Sequence, residues 1–157
     1  MIGYSLVGRR EGMGSVNNRL SANFEWKEFT KSDTATRLHI QNEITTFEVR
    51  DNIKALVDNL LQPLREAWGA PLFINSGYRC PELNKAVGGV ATSMHTKGQA
   101  SDVGCSNPYE LAKLVKKMNL QFDQMGLYDT FVHLSYRDDG ENRNQIFYNK
   151  KYKGKKI

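Results

Sequence analysis

The sequence predicts an α+β fold, with helices packed on a mainly antiparallel sheet. Two observations carry that reading. One long amphipathic stripe lies in the first half, where Val49, Ile53, Leu56, Leu60, Leu64 and Trp68 recur every three or four residues. Short apolar segments bounded by turn residues crowd the second half, at 100–105, 123–128, 131–136 and 145–148. No internal repeat and no low-complexity segment interrupts this order.

Residues 1–22 are rich in Gly, Ser, Asn and Arg and read as a loose segment. A single domain over 23–149 and a basic tail over 150–157 follow. Phe24, Trp26 and Phe29 lie close together, and a short helix there lays aromatic rings on the domain. Thr45-Thr-Phe-Glu48 has the form of a capping box and opens the long helix. Pro63 removes the hydrogen bond to the Asn59 carbonyl and is expected to kink or divide that helix. Gly69 closes it. A short strand over 72–75 ends in the Ser76-Gly77 turn, and Pro81 at a first helical position opens a helix over 80–86. Gly88-Gly89 frees the backbone for a loop. Asn107-Pro-Tyr-Glu110 combines an Asn cap with Pro at the first helical position, and Leu111, Leu114, Val115 and Met118 then face inward. The segments 123–128 and 131–136 read as strands joined by a tight turn, and 145–148 as an edge strand.

At 157 residues, with 39 % hydrophobic residues and a mean hydropathy of -0.57, the chain is long enough for a real core. No apolar run reaches membrane-spanning length, so no membrane span is expected. The arginines near the N-terminus follow a short apolar patch instead of preceding a continuous one, which predicts cytoplasmic synthesis without a signal peptide. The net charge of +5 is concentrated between Lys150 and Lys156. Such a tail either solubilises the chain or draws it to an anionic polymer. No nucleic-acid-binding motif accompanies it, so nucleic acid is not an expected partner. Cys80 and Cys105 are too few for a disulfide scaffold and do not form a CxxC knuckle. A single bridge and two buried, reduced thiols both remain open. His39 has no acidic or cysteine neighbour at ligand spacing and reads as structural.

The chemistry concentrates in one stretch, Ser76 to Asp102. It contains Arg79, Ser93 and His95, with Asp102 in the apolar-flanked run Ala100-Ser-Asp-Val103. His133 lies downstream between Val132 and Leu134. Two imidazoles and a carboxylate form a set that can hold Zn²⁺ and leave a fourth position for water. Spacing alone is weak, since isolated histidines on strands are more often core residues, and an arginine such as Arg79 is often half of a surface ion pair.

The segments SGYRCPELNKAVGG, SMHTKGQASD and FVHLSY, with NFEWKEFTKSDTATRL and LLQPLREAWG upstream, resemble the zinc D-alanyl-D-alanine carboxypeptidase family. That family includes VanY-like enzymes and L-alanyl-D-glutamate endopeptidases of phage lysins, and it shares the Hedgehog-type DD-peptidase fold. The likeness spans roughly Asn23 to Tyr136 and is greatest to members from phages, prophages and gut bacteria. It implies a zinc peptidase domain over 23–149 in which His95, Asp102 and His133 bind zinc. Arg79 would steady the substrate carbonyl or the oxyanion formed from it, and Ser93 would support the first histidine or the substrate. The implied partner is a peptidoglycan stem peptide, and the implied chain is a monomer reaching the cell wall as a phage or prophage lysin or on a virion.

The sequence departs from that pattern at one place. The family carries an acid shortly before the last histidine as general base, commonly three residues ahead, where this chain has Thr130. Asp129 is the nearest acid and the provisional base, with the same strand parity as His133. A fully extended chain would put it ~13 Å away along the strand. A turn aspartate between two strands accounts equally for it. This departure motivates an alternative, a catalytically weak metal-binding module that binds cell wall or builds a virion.

Overall fold

The computed structural model describes residues 18–157. Most of the predicted loose segment lies outside them. Within its described part, Leu20 is buried and Arg19 forms a bridge with Glu25.

The architecture is α+β, with helices covering one face of a five-stranded sheet. A 3-10 turn at Trp26–Phe29 precedes helix α1 (Asp33–Leu38). Phe24 and Phe29 meet edge to face in the core, and Trp26 packs against it beneath the Arg50 guanidinium. Helix α2 (Phe47–Leu56) starts one residue later than a capping box at Thr45 would set it. Thr46 is the cap, its hydroxyl accepting from the Val49 N–H at 3.2 Å, so Glu48 falls at the wrong position to close a box. The expected break at Pro63 takes a specific form. A π-helical turn over Val57–Leu61 leads directly into α3 (Gln62–Trp68), which has Pro63 in its first turn. The Gln62 N–H reaches back to the Val57 carbonyl, five residues away. The extra residue turns Val57 and Leu61 inward beside Leu56, Leu60 and Leu64, and all five are fully buried. Gly69 ends α3 in the left-handed conformation.

The strands are β1 (Phe73–Ser76), β2 (Ala100–Gly104), β3 (Gln124–Leu127), β4 (Phe131–Ser135) and β5 (Gln145–Tyr148), in the order β1-β2-β4-β3-β5. All neighbours run antiparallel except β3 and β5. Helix α4 (Pro81–Ala86) and a 3-10 turn at Met94–Lys97 lie between β1 and β2. Helix α5 (Pro108–Lys117) follows β2, and the Asn107 side chain accepts from the Glu110 N–H as its cap. Val103, Met125, Leu127, Val132 and Leu134 face the helices and are fully buried. Alternation then sends Asp102, Gly126 and His133 to the opposite face. The basic tail folds back on β5. Ile157 exchanges hydrogen bonds with the Tyr148 hydroxyl and packs on the core, while the lysine side chains from Lys150 to Lys156 stay exposed. No helix among the described residues is long and apolar enough to cross a membrane.

Candidate functional site

The pairing register builds the site as one row across the sheet. Ser76 on β1 pairs with Asp102 on β2, Asp102 with His133 on β4, His133 with Gly126 on β3, and Gly126 with Phe147 on β5. Residues paired across neighbouring strands project to the same face, so distant sequence positions meet without a local motif. His95 is added from the 3-10 turn above the row.

His95 is buried and its ring is held at Nδ1. Nδ1 lies 2.8 Å from the Gly77 carbonyl oxygen. A carbonyl only accepts, so Nδ1 carries the proton and Nε2 keeps its lone pair. Nε2 is buried without a hydrogen-bond partner and lies 3.4 Å from Asp102 Oδ1. His133 Nδ1 lies 3.0 Å from the same oxygen. One donor atom each from His95, Asp102 and His133 fall within 4.8 Å of one another. A tetrahedral zinc site with bonds near 2.0–2.1 Å has ligand atoms ~3.3 Å apart. The two measured separations and the unpartnered buried nitrogen therefore fit a zinc ion. Burial pushes the Asp102 carboxyl up, but the His133 hydrogen bond and the two adjacent imidazoles overcome this and hold it well below the usual carboxylate range.

The loop carrying His95 and Arg79 is held tightly. Ser93 caps the 3-10 turn, its Oγ accepting from the His95 N–H at 3.2 Å. The Arg79 N–H donates to the His95 carbonyl at 3.0 Å. Asn42 is buried and pins the segment from behind, donating to the carbonyls of Thr30 and Tyr78 and accepting from the Cys80 N–H. Gly77 is required by close approach, since a Cβ there would lie 2.7 Å from the Phe29 Cα.

Arg79 is not a surface ion pair. Its Nη1 donates to Asn84 Oδ1 at 2.9 Å, its Nε to Ser76 Oγ at 3.3 Å, and its Nη2 lies 3.9 Å from Asp102 Oδ2. The Asn84 amide also donates to the Val90 carbonyl. Gly89 lies against both partners, and a Cβ there would come within 2.1 Å of Asn84 Oδ1. Gly-Gly thus does more than loosen a loop. Beside this contact opens a groove of about 420 Å³, lined by Pro81, Asn84, Lys85, Gly89 and Thr96 among others.

Asp129 is not brought to the cluster. It is exposed in the turn between β3 and β4, where Oδ1 accepts from the Lys153 N–H at 2.9 Å. The hairpin is too tight to curl its carboxylate back over the row: the Tyr128 N–H already bonds the Phe131 carbonyl. Cys80 and Cys105 are half-buried, free and not joined. His39 is exposed at the left-handed C-cap of α1, remote in role from the cluster.

Sequence reasoning missed Asn42, Asn84 and the aromatic side of the site. Tyr128 stacks on Phe131 with centroids 4.2 Å apart, Phe147 meets Tyr128 edge-on at 6.4 Å, and Phe147 tilts against His133 at 5.9 Å. The equal parity of Gly126 and Tyr128 on one strand, with Phe131 and His133 on the next, was a usable signal for Tyr128. The reach of Phe147 across the empty Gly126 position depends on register and had no local signal.

A model of the peptidase M15 family matches residues 22–135. No curated protein matches the chain. The matched span contains Arg79 and all three members of the cluster, and it ends with β4, before Phe147 and the tail.

Proposed function

The chain belongs to the peptidase M15 family, and from that premise we propose that it is a zinc metallopeptidase hydrolysing a peptide bond in bacterial peptidoglycan stem peptides. It acts either as a D-Ala-D-Ala carboxypeptidase or as an endolysin-type endopeptidase cutting between L-alanine and D-glutamate. The observation that carries the reading is the convergence of His95 Nε2, Asp102 Oδ1 and His133 Nδ1, with His95 Nε2 buried and unpartnered. These three residues would hold the metal. When bound, zinc supplies Lewis acidity that polarises a carbonyl and acidifies water.

The chain's own groups do the rest. The Gly77 carbonyl fixes the His95 tautomer, and Ser93 acts in supporting that histidine through the turn it caps. Arg79, held by Asn84 and Ser76, presents a charged, pre-oriented donor to the oxygen that becomes negative in the tetrahedral state. The groove beside Asn84 gives an extended peptide a surface to lie along. A phage or prophage lysin, or a virion-borne enzyme, accounts for access to the wall, and the exposed lysines of the tail favour an anionic envelope.

The turn position of Asp129 favours a second reading, a metal-holding wall-binding or virion module with little catalysis. Metal analysis followed by digestion of purified muropeptides separates the two. Stoichiometric zinc with new amino termini, both lost in His95→Ala, supports the peptidase. Zinc without cleavage of any stem peptide supports the module. Protein never exposed to chelator that carries no zinc overturns both.

A further inference from the structure

The reaction site has a cationic side, at Arg79, and an aromatic side that no motif assigned. Gln124, Gly126 and Tyr128 share one face of β3 and its extension, the face of His133, because Gly126 pairs with His133. The Tyr128 ring lies flat on Phe131, two residues from His133 on the same face of β4. Phe147 closes the wall edge-on, seated over Gly126, where a Cβ would fall 2.2 Å from its ring. Tyr128 therefore has little rotational freedom, and this half-buried residue stacks on the site side of the sheet.

Tyr128 is within electrostatic reach of Asp102 and Arg79. Burial, then the Asp102 charge, raise its pKa above the ordinary tyrosine value, so it stays a protonated donor through the neutral range.

Resting on the peptidase reading above, we propose that Tyr128, on the β3 side of the Asp102–His133 row while Arg79 lies on the β1 side, is a second catalytic hydrogen-bond donor, its hydroxyl donating to the oxygen of the scissile carbonyl as it becomes tetrahedral. No covalent bond to the tyrosine forms, and its proton stays on the phenol. Arg79 supplies charge and Tyr128 supplies a neutral donor on a rigid aromatic base. A pair of donors aimed at one developing oxyanion is the arrangement that stabilises the transition state more than the ground state.

The test is Tyr128→Phe, which keeps the stacked ring and removes only the hydroxyl. Zinc content and melting temperature are expected to match the wild type. The kcat on a stem peptide falls ~10²-fold or more with KM within ~2-fold, the size expected for one lost oxyanion donor. Affinity for a phosphinate analogue of the scissile dipeptide, measured by calorimetry on the zinc-loaded protein, falls at least ~10-fold. A Tyr128→Phe enzyme with kcat within ~3-fold of wild type, or one changed only in KM, overturns the donor role and leaves the peptidase reading intact. Wild-type protein that binds the analogue without turnover still decides the matter through the binding arm. Wild-type protein that neither cleaves nor binds overturns both.

Discussion

The two faces of one sheet follow different rules. On β4, Val132 and Leu134 point to the helices and are 0 % exposed, while Phe131 and His133 point the other way and are half-buried. On β2, Val103 is fully buried, and Asp102 between its neighbours looks out. The helix-facing side requires volume and apolarity, and many side chains of similar size meet that need. The site-facing side requires particular atoms in one row, from Ser76 through Asp102 and His133 to Phe147. Strand alternation thus separates stability from chemistry within a pentapeptide. It also makes register decisive, because a one-residue slip would exchange the two faces.

The largest expected effects test that separation directly. Asp102→Asn removes the charge of one proposed metal ligand and loosens the other two, since Asp102 Oδ1 contacts both histidines. Peptidase activity is expected to fall ~10³-fold or more, several kcal/mol of transition-state stabilisation, with zinc content reduced in parallel. The neighbouring face gives the opposite profile. Leu134→Ala, fully buried beside His133, is expected to cost ~2–5 kcal/mol of folding stability in denaturant titration. Its surviving folded fraction is expected to hold zinc as the wild type does. An Asp102→Asn protein destabilised as much as Leu134→Ala would break the comparison, by showing that the site face also carries the fold.

Gly126→Ala sharpens the comparison by probing a site-face position, paired with His133, that has no side chain. Its added methyl meets the Phe147 ring at 2.2 Å, and that ring leans on His133. Phe147 must move, at a cost of ~1–3 kcal/mol in stability by overpacking. Activity falls with it as the aromatic wall shifts, while zinc content stays near that of the wild type because no ligand is lost. A variant with unchanged melting and unchanged kcat would show that the wall is not part of the working site.

Much of this was legible in the chain and some was not, for physical reasons. Most helix and strand positions followed from local periodicity, and the Asn107 cap from a local pattern, so they were readable within a residue or two, whereas α1 was not among the elements expected. Thr45 and Thr46 are adjacent hydroxyls, and which of them caps depends on where the chain enters the helix. Pro63 was readable as a disturbance, but its form, a π turn that buries Val57 and Leu61, depends on tertiary packing. His95, Asp102 and His133 were singled out as residue types that could hold a metal, with Arg79 in the same stretch, and the family resemblance gave them roles that spacing alone would not have given. Asn42 and Asn84 carried no sign of their roles, since a buried amide that bridges two loops is defined by its partners and not by its neighbours in sequence.

The smallest expected effect concerns the residue that strand parity favoured. Asp129 shares parity with His133, yet parity holds only while the strand continues, and β4 begins at Phe131. Before it the chain turns, and the carboxylate serves the backbone of Lys153 instead. Asp129→Ala is therefore expected to leave kcat within ~2-fold and to cost no more than about 1 kcal/mol through one exposed hydrogen bond. Its signature is local, faster amide exchange at Lys153 and at neighbouring tail amides. A large loss of kcat with the tail still protected would place proton transfer at this turn, and would mean that the site face extends past the end of its own strand.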